Sequence, residues 1–352
     1  VASVLRQAIL AVADTPVVQH QVERHGRRLV SRFVAGDTVE DGLRVAEELR
    51  AQGLATILDL LGEGTTARSQ AESAAGQLEA MVRAIAARPG PPRLPVELAV
   101  KLSHLGAQKD AGLAMELLRR LLEVAAGRVF LWIDMEGSDL TDTTIATFEA
   151  LRPQYRELGL VLQAYLRRSA DDLARVAPLD PVVRIVKGAY LEPPSLAFNR
   201  KAEVDRNFSA LVEACFDRGI RVAIATHDAD LVHGLIAEAG RRDVGKDRYE
   251  FQTLYGVAGE LARELAAQGH LTKVYVPVGR DWYRYFSRRL AERPANMAFL
   301  MRALLSGRNG RSSPSRTRSP FSSPRLPSSP ARPEPDPRPS DPSTDQRRSP
   351  TP

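Results

Sequence analysis

Sulfur, aromatic rings and long apolar runs are all scarce in this sequence. Its 352 residues include one cysteine, Cys215, which excludes an intrachain disulfide. That thiol lies in the apolar helical pattern FSALVEACF, so it reads as a core residue. Aromatic residues make up 6% of the chain. No apolar run reaches the roughly 18 residues that a membrane-spanning helix requires. The stretch LRQAILAVAD near the start is short and has no signal-peptide cleavage pattern. A cytoplasmic chain is therefore expected. Two glycine-rich phosphate-binding signatures are missing as well: GxGxxG and GxxxxGK[ST]. Without them a doubly wound dinucleotide-binding sheet is the weaker fold expectation. The absence of GxSxG argues against a serine hydrolase.

Charge of one sign is concentrated at the end. The formal net charge is +6, yet nine arginines and four acidic residues fall within 306–352, leaving about +1 for the rest. Twelve of the 24 prolines also lie there, among many serines. Such a composition cannot build a core, so disorder is expected for this tail. The basic pI is thus largely a property of the tail. It gives no reason to expect specific nucleic-acid binding by the body. The expected domains are a helical N-terminal segment (1–50), a catalytic domain (51–305) and the Ser/Pro/Arg-rich tail (306–352).

What is present is an alternation. Eight short Val/Ile/Leu-rich runs occur in order: GLATILDLLG, ELAVKLSHLG, RVFLWIDMEG, LGLVLQAYL, PVVRIVKGAY, IRVAIATHD, YEFQTLYG and LTKVYVPVG. Most are apolar on both faces, as parallel strands covered by helices should be. Amphipathic segments such as DAGLAMELLRRLLEVAA separate them. Eight alternations predict an α/β fold, a (β/α)8 TIM barrel.

In such a barrel, chemistry sits at the C-terminal strand ends. Polar residues gather there: Lys101 with Ser103; Asp134 with Glu136; Gln163; Arg184 and Lys187; Thr226, His227 and Asp228; and Gln252. Asp134 and Glu136 are two apart, so on a strand they would share one face. A ring of structural ion pairs is the bland explanation for any one of these residues. The whole series is better explained by a site, since buried charge must pair or bind something. A metal centre is disfavoured because Lys101, Arg184 and Lys187 crowd the rim with positive charge. Glycoside hydrolysis is disfavoured because its two carboxylates would lie on one strand instead of flanking a bond. Cations there suit an anionic cofactor and a carboxylate substrate. The glycine of VKGAY either admits a planar group close to the backbone or makes a tight turn. Further on, WYRYFSRRLAE places Tyr285 with Arg289, and Arg288 with Glu292, at i,i+4 spacing on a helix.

Taken together, VKLSHLG, WIDMEG, VLQAYL, RIVKGAYLE, ATHD, YEFQTLYG, VPVG and YFSRRLAE resemble the proline dehydrogenase family in its monofunctional bacterial form. The likeness runs over roughly 40–305. It implies a distorted barrel whose last helix lies over the mouth, and noncovalent FAD at the strand ends. It further implies oxidation of L-proline to 1-pyrroline-5-carboxylate by hydride transfer from C5 to flavin N5. This would be the first step of proline degradation to glutamate. A related cyclic amino acid such as hydroxyproline is the alternative substrate. By resemblance, Gln163, Arg184, Lys187, Gly188, Ala189, Thr226, His227 and Glu292 contact FAD. Lys101 and Asp134 lie beneath the substrate, with Asp134 and Arg184 in the catalytic network. Tyr190, Leu254 and Tyr285 shape the pocket around the proline ring, and Arg288 and Arg289 grip its carboxylate. A positive site would favour the neutral substrate amine. Electrons would pass to a membrane quinone, which implies peripheral association with the inner face of the cell membrane. Two departures stand out. ATHD ends in Asp228 where relatives often have asparagine, and the tail has no counterpart.

Overall fold

A computed structural model of the chain describes residues 31–282, apart from 63 and 89. Eight strands and eight α-helices alternate through this span. They are α1 (Val39–Arg50), β1 (Ala55–Leu60), α2 (Arg68–Ala86), β2 (Val96–Val100), α3 (Ala111–Ala125) and β3 (Leu131–Ile133). Next come α4 (Ser138–Leu151), β4 (Leu158–Gln163), α5 (Ser169–Val176), β5 (Val182–Val186) and α6 (Lys201–Asp217). The span closes with β6 (Arg221–Ala225), α7 (Ala229–Arg241), β7 (Tyr249–Leu254), α8 (Gly259–Ala267) and β8 (Thr272–Val278). The strands pair in sequence order, all parallel, and β1 returns to β8 to close the barrel. Each of the eight apolar runs contributes one strand. The closing register sets Ala55 opposite Lys273 and Leu60 opposite Val278.

Strand and helix faces follow the side-chain period. Every residue of β4 is buried, as expected where one face meets helices and the other the barrel interior. On α2 the buried residues Ala71, Ala74, Ala75, Leu78, Met81, Val82 and Ile85 follow 3.6-residue spacing. Asp110 caps α3, its Oδ1 accepting from the Leu113 amide at 2.9 Å. Cys215 is fully buried on α6, and burial pushes its thiol up to about 12.

Helix α1 falls within the expected N-terminal helical segment (1–50), and it packs on the barrel. Thr38 starts this helix with a reciprocal cap: its Oγ1 accepts from the Asp41 amide, and its own amide donates to Asp41 Oδ2. Leu43, Val45, Ala46 and Leu49 are then buried in the common core. The helix lies over the seam between β1 and β8. A Cβ on Gly42 would stand 3.3 Å from Leu58 and 3.6 Å from Val278, one residue on each side of that seam.

Inside the barrel the floor carries charge. Lys273 Nζ lies 2.5 Å from Glu97 Oε1 and 2.9 Å from Glu250 Oε1. Gln252 Nε2 donates to Glu250 at 2.7 Å, and Arg221, the first residue of β6, approaches the same carboxylate at 3.1 Å. Burial alone would push the Glu250 carboxyl up, but Lys273 and Arg221 outweigh it and hold it below its ordinary value. No helix among the described residues is long and apolar enough to cross a membrane. The expected helix over the mouth, the tail and residues 1–30 lie outside the described residues.

Candidate active site

A cavity of about 400 Å³ opens at the C-terminal ends of the strands. Its base is a five-residue polar network drawn from β1, β5 and β8 and from the residues that directly follow β2 and β3. Lys101 Nζ donates to Asp59 Oδ1 at 2.5 Å and lies 3.6 Å from Asp134 Oδ2. Arg184 Nη1 donates to Asp134 Oδ1 at 3.0 Å. The Tyr275 hydroxyl donates to Asp134 Oδ2 at 2.6 Å and sits 3.4 Å from the Lys101 ammonium. Burial, then the neighbouring Asp134 and Asp59, hold the Tyr275 phenol well above its ordinary pKa. It therefore stays protonated and serves as a donor. Burial also pushes the Asp59 carboxyl up, against the pull of Lys101.

Asp59 and Tyr275 are absent from the sequence-derived set. Each is a single polar residue in an apolar run, ATILDL and VYVPV. Their parity would place them inward, but their meeting depends on how β8 registers against β1. Asp134 and Glu136 do not act as a pair. Strand β3 ends at Ile133, so the alternation that would align them has already stopped. Glu136 turns to Ser103, accepting from its amide at 2.9 Å and from its hydroxyl at 2.5 Å. Only Asp134 faces the cavity.

The walls come from the loops after β4, β5, β6 and β7. Gln163 Nε2 donates to the Glu136 carbonyl at 2.8 Å, which fixes the orientation of its amide. His227 Nε2 accepts from the Leu254 amide at 2.9 Å, so a neutral ring carries its proton on Nδ1. Gly188 has φ +111°, and a Cβ there would stand 2.1 Å from the Tyr165 ring. Turn geometry and this ring thus account for the glycine of VKGAY; close approach of a ligand is not needed to explain it. Lys187 lies 2.6 Å from Asp205 and 3.1 Å from Asp228. Lys201 also pairs with both carboxylates. The added charge of Asp228 is thereby matched at once. Hydrogen bonds from Lys201, then Lys187, bring its carboxyl down to about 2.

Lys101, Asp134, Gln163, Arg184, Lys187, Gly188, Ala189, Tyr190, Thr226, His227 and Leu254 all line this one cavity. Tyr285, Arg288, Arg289 and Glu292 lie outside the described residues. The expectation of a positive site also counts Arg288 and Arg289, which lie outside the described residues. Lys101 and Arg184 are matched by Asp59 and Asp134, and Lys187 faces two carboxylates. With Lys201 counted, four cations face four carboxylates in and around the described cavity.

Comparison with known proteins gives this geometry its context. The family model for proline dehydrogenase matches residues 42–302. The chain belongs to the proline dehydrogenase family. It is 37% identical over 308 residues to a proline dehydrogenase of Deinococcus radiodurans, covering 86% of this chain and 98% of that one. It is 36% identical over 303 residues to proline dehydrogenase 1 of Bacillus subtilis, covering 86% and 99%. Among solved structures, proline utilization A from Bdellovibrio bacteriovorus, inactivated by N-propargylglycine, superimposes with a TM-score of 0.70. That match covers 75% of this chain and 32% of that one at 24% identity, and it speaks to the fold.

Proline dehydrogenases catalyse the FAD-dependent first step of proline catabolism, and the cavity suits that cofactor. Arg184 is buried in its base and keeps Nε and Nη2 without hydrogen-bond partners. Gln252 Oε1, also buried and lining the cavity, lacks a donor. Unpaired buried donors and acceptors are costly unless a ligand completes them. An isoalloxazine edge offers both acceptors and an N–H.

Proposed function

We propose that this cavity binds FAD along its β4–β7 walls and oxidises L-proline to 1-pyrroline-5-carboxylate above the Asp59–Lys101–Asp134 base. The observation that carries the reading is convergence. Every site residue that the family resemblance implies within the described chain lines the same cavity. Bound FAD supplies the hydride acceptor. The residues supply position and charge. Arg184, with two free donors, would stabilise the negative charge that a bound flavin gains on accepting the hydride from proline C5. Asp134 anchors Arg184 and Tyr275 together, so the guanidinium and the pocket wall move as one unit. Tyr190 and Leu254 confine the ring. Arg288 and Arg289 hold the carboxylate, and Tyr285 packs on the ring; the resemblance over YFSRRLAE supports both roles. These two arginines also add the positive charge that the described cavity lacks, which favours loss of the amine proton. Electrons leave to a quinone acceptor at the membrane surface.

Purification followed by an absorbance scan tests the reading. The expected result is yellow protein whose flavin bands bleach when proline is added without an acceptor. Colourless protein that cannot be reconstituted with FAD overturns it. A finer check is Arg288→Lys or Arg289→Lys. Lysine lacks the planar fork, so KM for proline should rise at least tenfold while flavin content is kept.

A further inference from the structure

We propose that Trp132 is a positioning residue for Arg184, its indole acting as the shelf on which the guanidinium rests. The proposal deepens the reading above, since it rests on Arg184 serving the flavin. Arg184 is buried, yet it makes one side-chain hydrogen bond, from Nη1 to Asp134. Its Nε and Nη2 have none. A guanidinium tied at one corner can still rotate about that tie. Two aromatic faces restrict it: its central carbon lies 4.6 Å from the Trp132 ring centroid and 5.4 Å from that of Tyr275. A cation over an indole face is attracted by the ring quadrupole, most strongly where water is excluded.

The shelf is itself fixed from below. Trp132 is fully buried, and its Nε1 donates to Glu97 Oε2 at 2.7 Å. The other oxygen of Glu97 is held by Lys273 at 2.5 Å, and Lys273 is held in turn by Glu250. Beside the ring, β4 carries Gly159. A Cβ there would stand 2.5 Å from Trp132 Cε3, so the strand is notched where the indole lies. Glu97, itself held by Lys273, and the notch at Gly159 thus set the indole plane, and the indole plane sets where Arg184 presents its two free donors. The buried ion pairs of the floor, remote from the cavity, act on the site through this ring.

The test is a double-mutant cycle on the full chain purified with FAD. Its variants are Trp132→Met, which keeps bulk without a ring face, Trp132→Phe, Arg184→Gln and the two combinations. Flavin midpoint potential, kcat, KM for proline and thermal unfolding are measured for each. Trp132→Met is expected to move the potential in the same direction as Arg184→Gln. It should lower kcat at least tenfold with a smaller change in KM. Trp132→Phe, which keeps a ring under the guanidinium, should stay within about threefold of the parent. In the Arg184→Gln background neither substitution should lower kcat more than about twofold further, because the group they position is gone. Overturning results are a Trp132→Met protein with parental potential and kcat, or combined losses equal to the product of the single losses. If Trp132→Met does not fold, Trp132→Leu, likewise without a ring face, takes its place in the cycle under the same additivity criterion. If the parent itself holds no flavin, the functional reading fails separately. The cycle on thermal unfolding then decides the placement alone: coupling between positions 132 and 184 sustains it, and additivity overturns it.

Discussion

Single residues in this barrel interior are held by matched charge, and the matching sets how each substitution should behave. Lys101 and Asp59 are both buried. Removing one partner of such a pair leaves an uncompensated charge, which typically costs about 3–5 kcal/mol. Lys101→Met should therefore destabilise the fold by at least about 3 kcal/mol, read by chemical denaturation. The pH dependence has a definite sign. Asp59 already has a folded pKa above its ordinary value, so protonation favours the folded state. The deficit in Lys101→Met should be smaller near pH 4 than at pH 8 and should shrink when Asp59→Asn is added. A deficit independent of pH would rule out Asp59 as its source. Asp228 has the opposite sign. Its carboxyl falls from 3.8 to about 2 on folding, so its contribution is present above pH 4 and disappears as pH drops toward 2. Asp228→Asn should be less stable than the parent at pH 6, and thermal unfolding curves of the two should converge near pH 2.

At the scale of elements, the sequence made some features legible and hid others for physical reasons. The eight strands were readable because each is a short run apolar on both faces, and the site residues were readable because they end those runs. Lys187–Tyr190 and Thr226–His227 needed only the strand-end rule. Asp59 and Tyr275 needed more. Tyr275 meets Asp134 across 141 residues of chain, through a closure between the first and last strands that no local pattern encodes. Glu136 was misplaced because β3 ends three residues before it. The loop after β5 offers a test at this scale. Gly188→Ala places a methyl group against the Tyr165 ring on backbone at φ +111°. The loop carrying Lys187, Ala189 and Tyr190 should shift, and FAD occupancy of the purified protein should fall at least tenfold. Full occupancy would mean that this loop does not shape the flavin wall.

For the whole molecule, the described barrel closes on itself within residues 31–282, and the family match ends at 302. We expect a chain truncated after residue 305 to keep its thermal midpoint, its flavin and its proline turnover. Loss of any of these would give the Ser/Pro/Arg-rich tail a part in the enzyme. The α1 helix bears on the same point. It lies over the β8–β1 seam, so an element from before the first strand covers the place where a regular barrel would set the helix that follows its last. Seen as a matter of inheritance, this divides the chain into parts that answer to different pressures. Changes that keep the cylinder shut are judged at Gly42, Leu58 and Val278. The seam that β8 closes is covered from the other end of the chain, so its upkeep is inherited with α1.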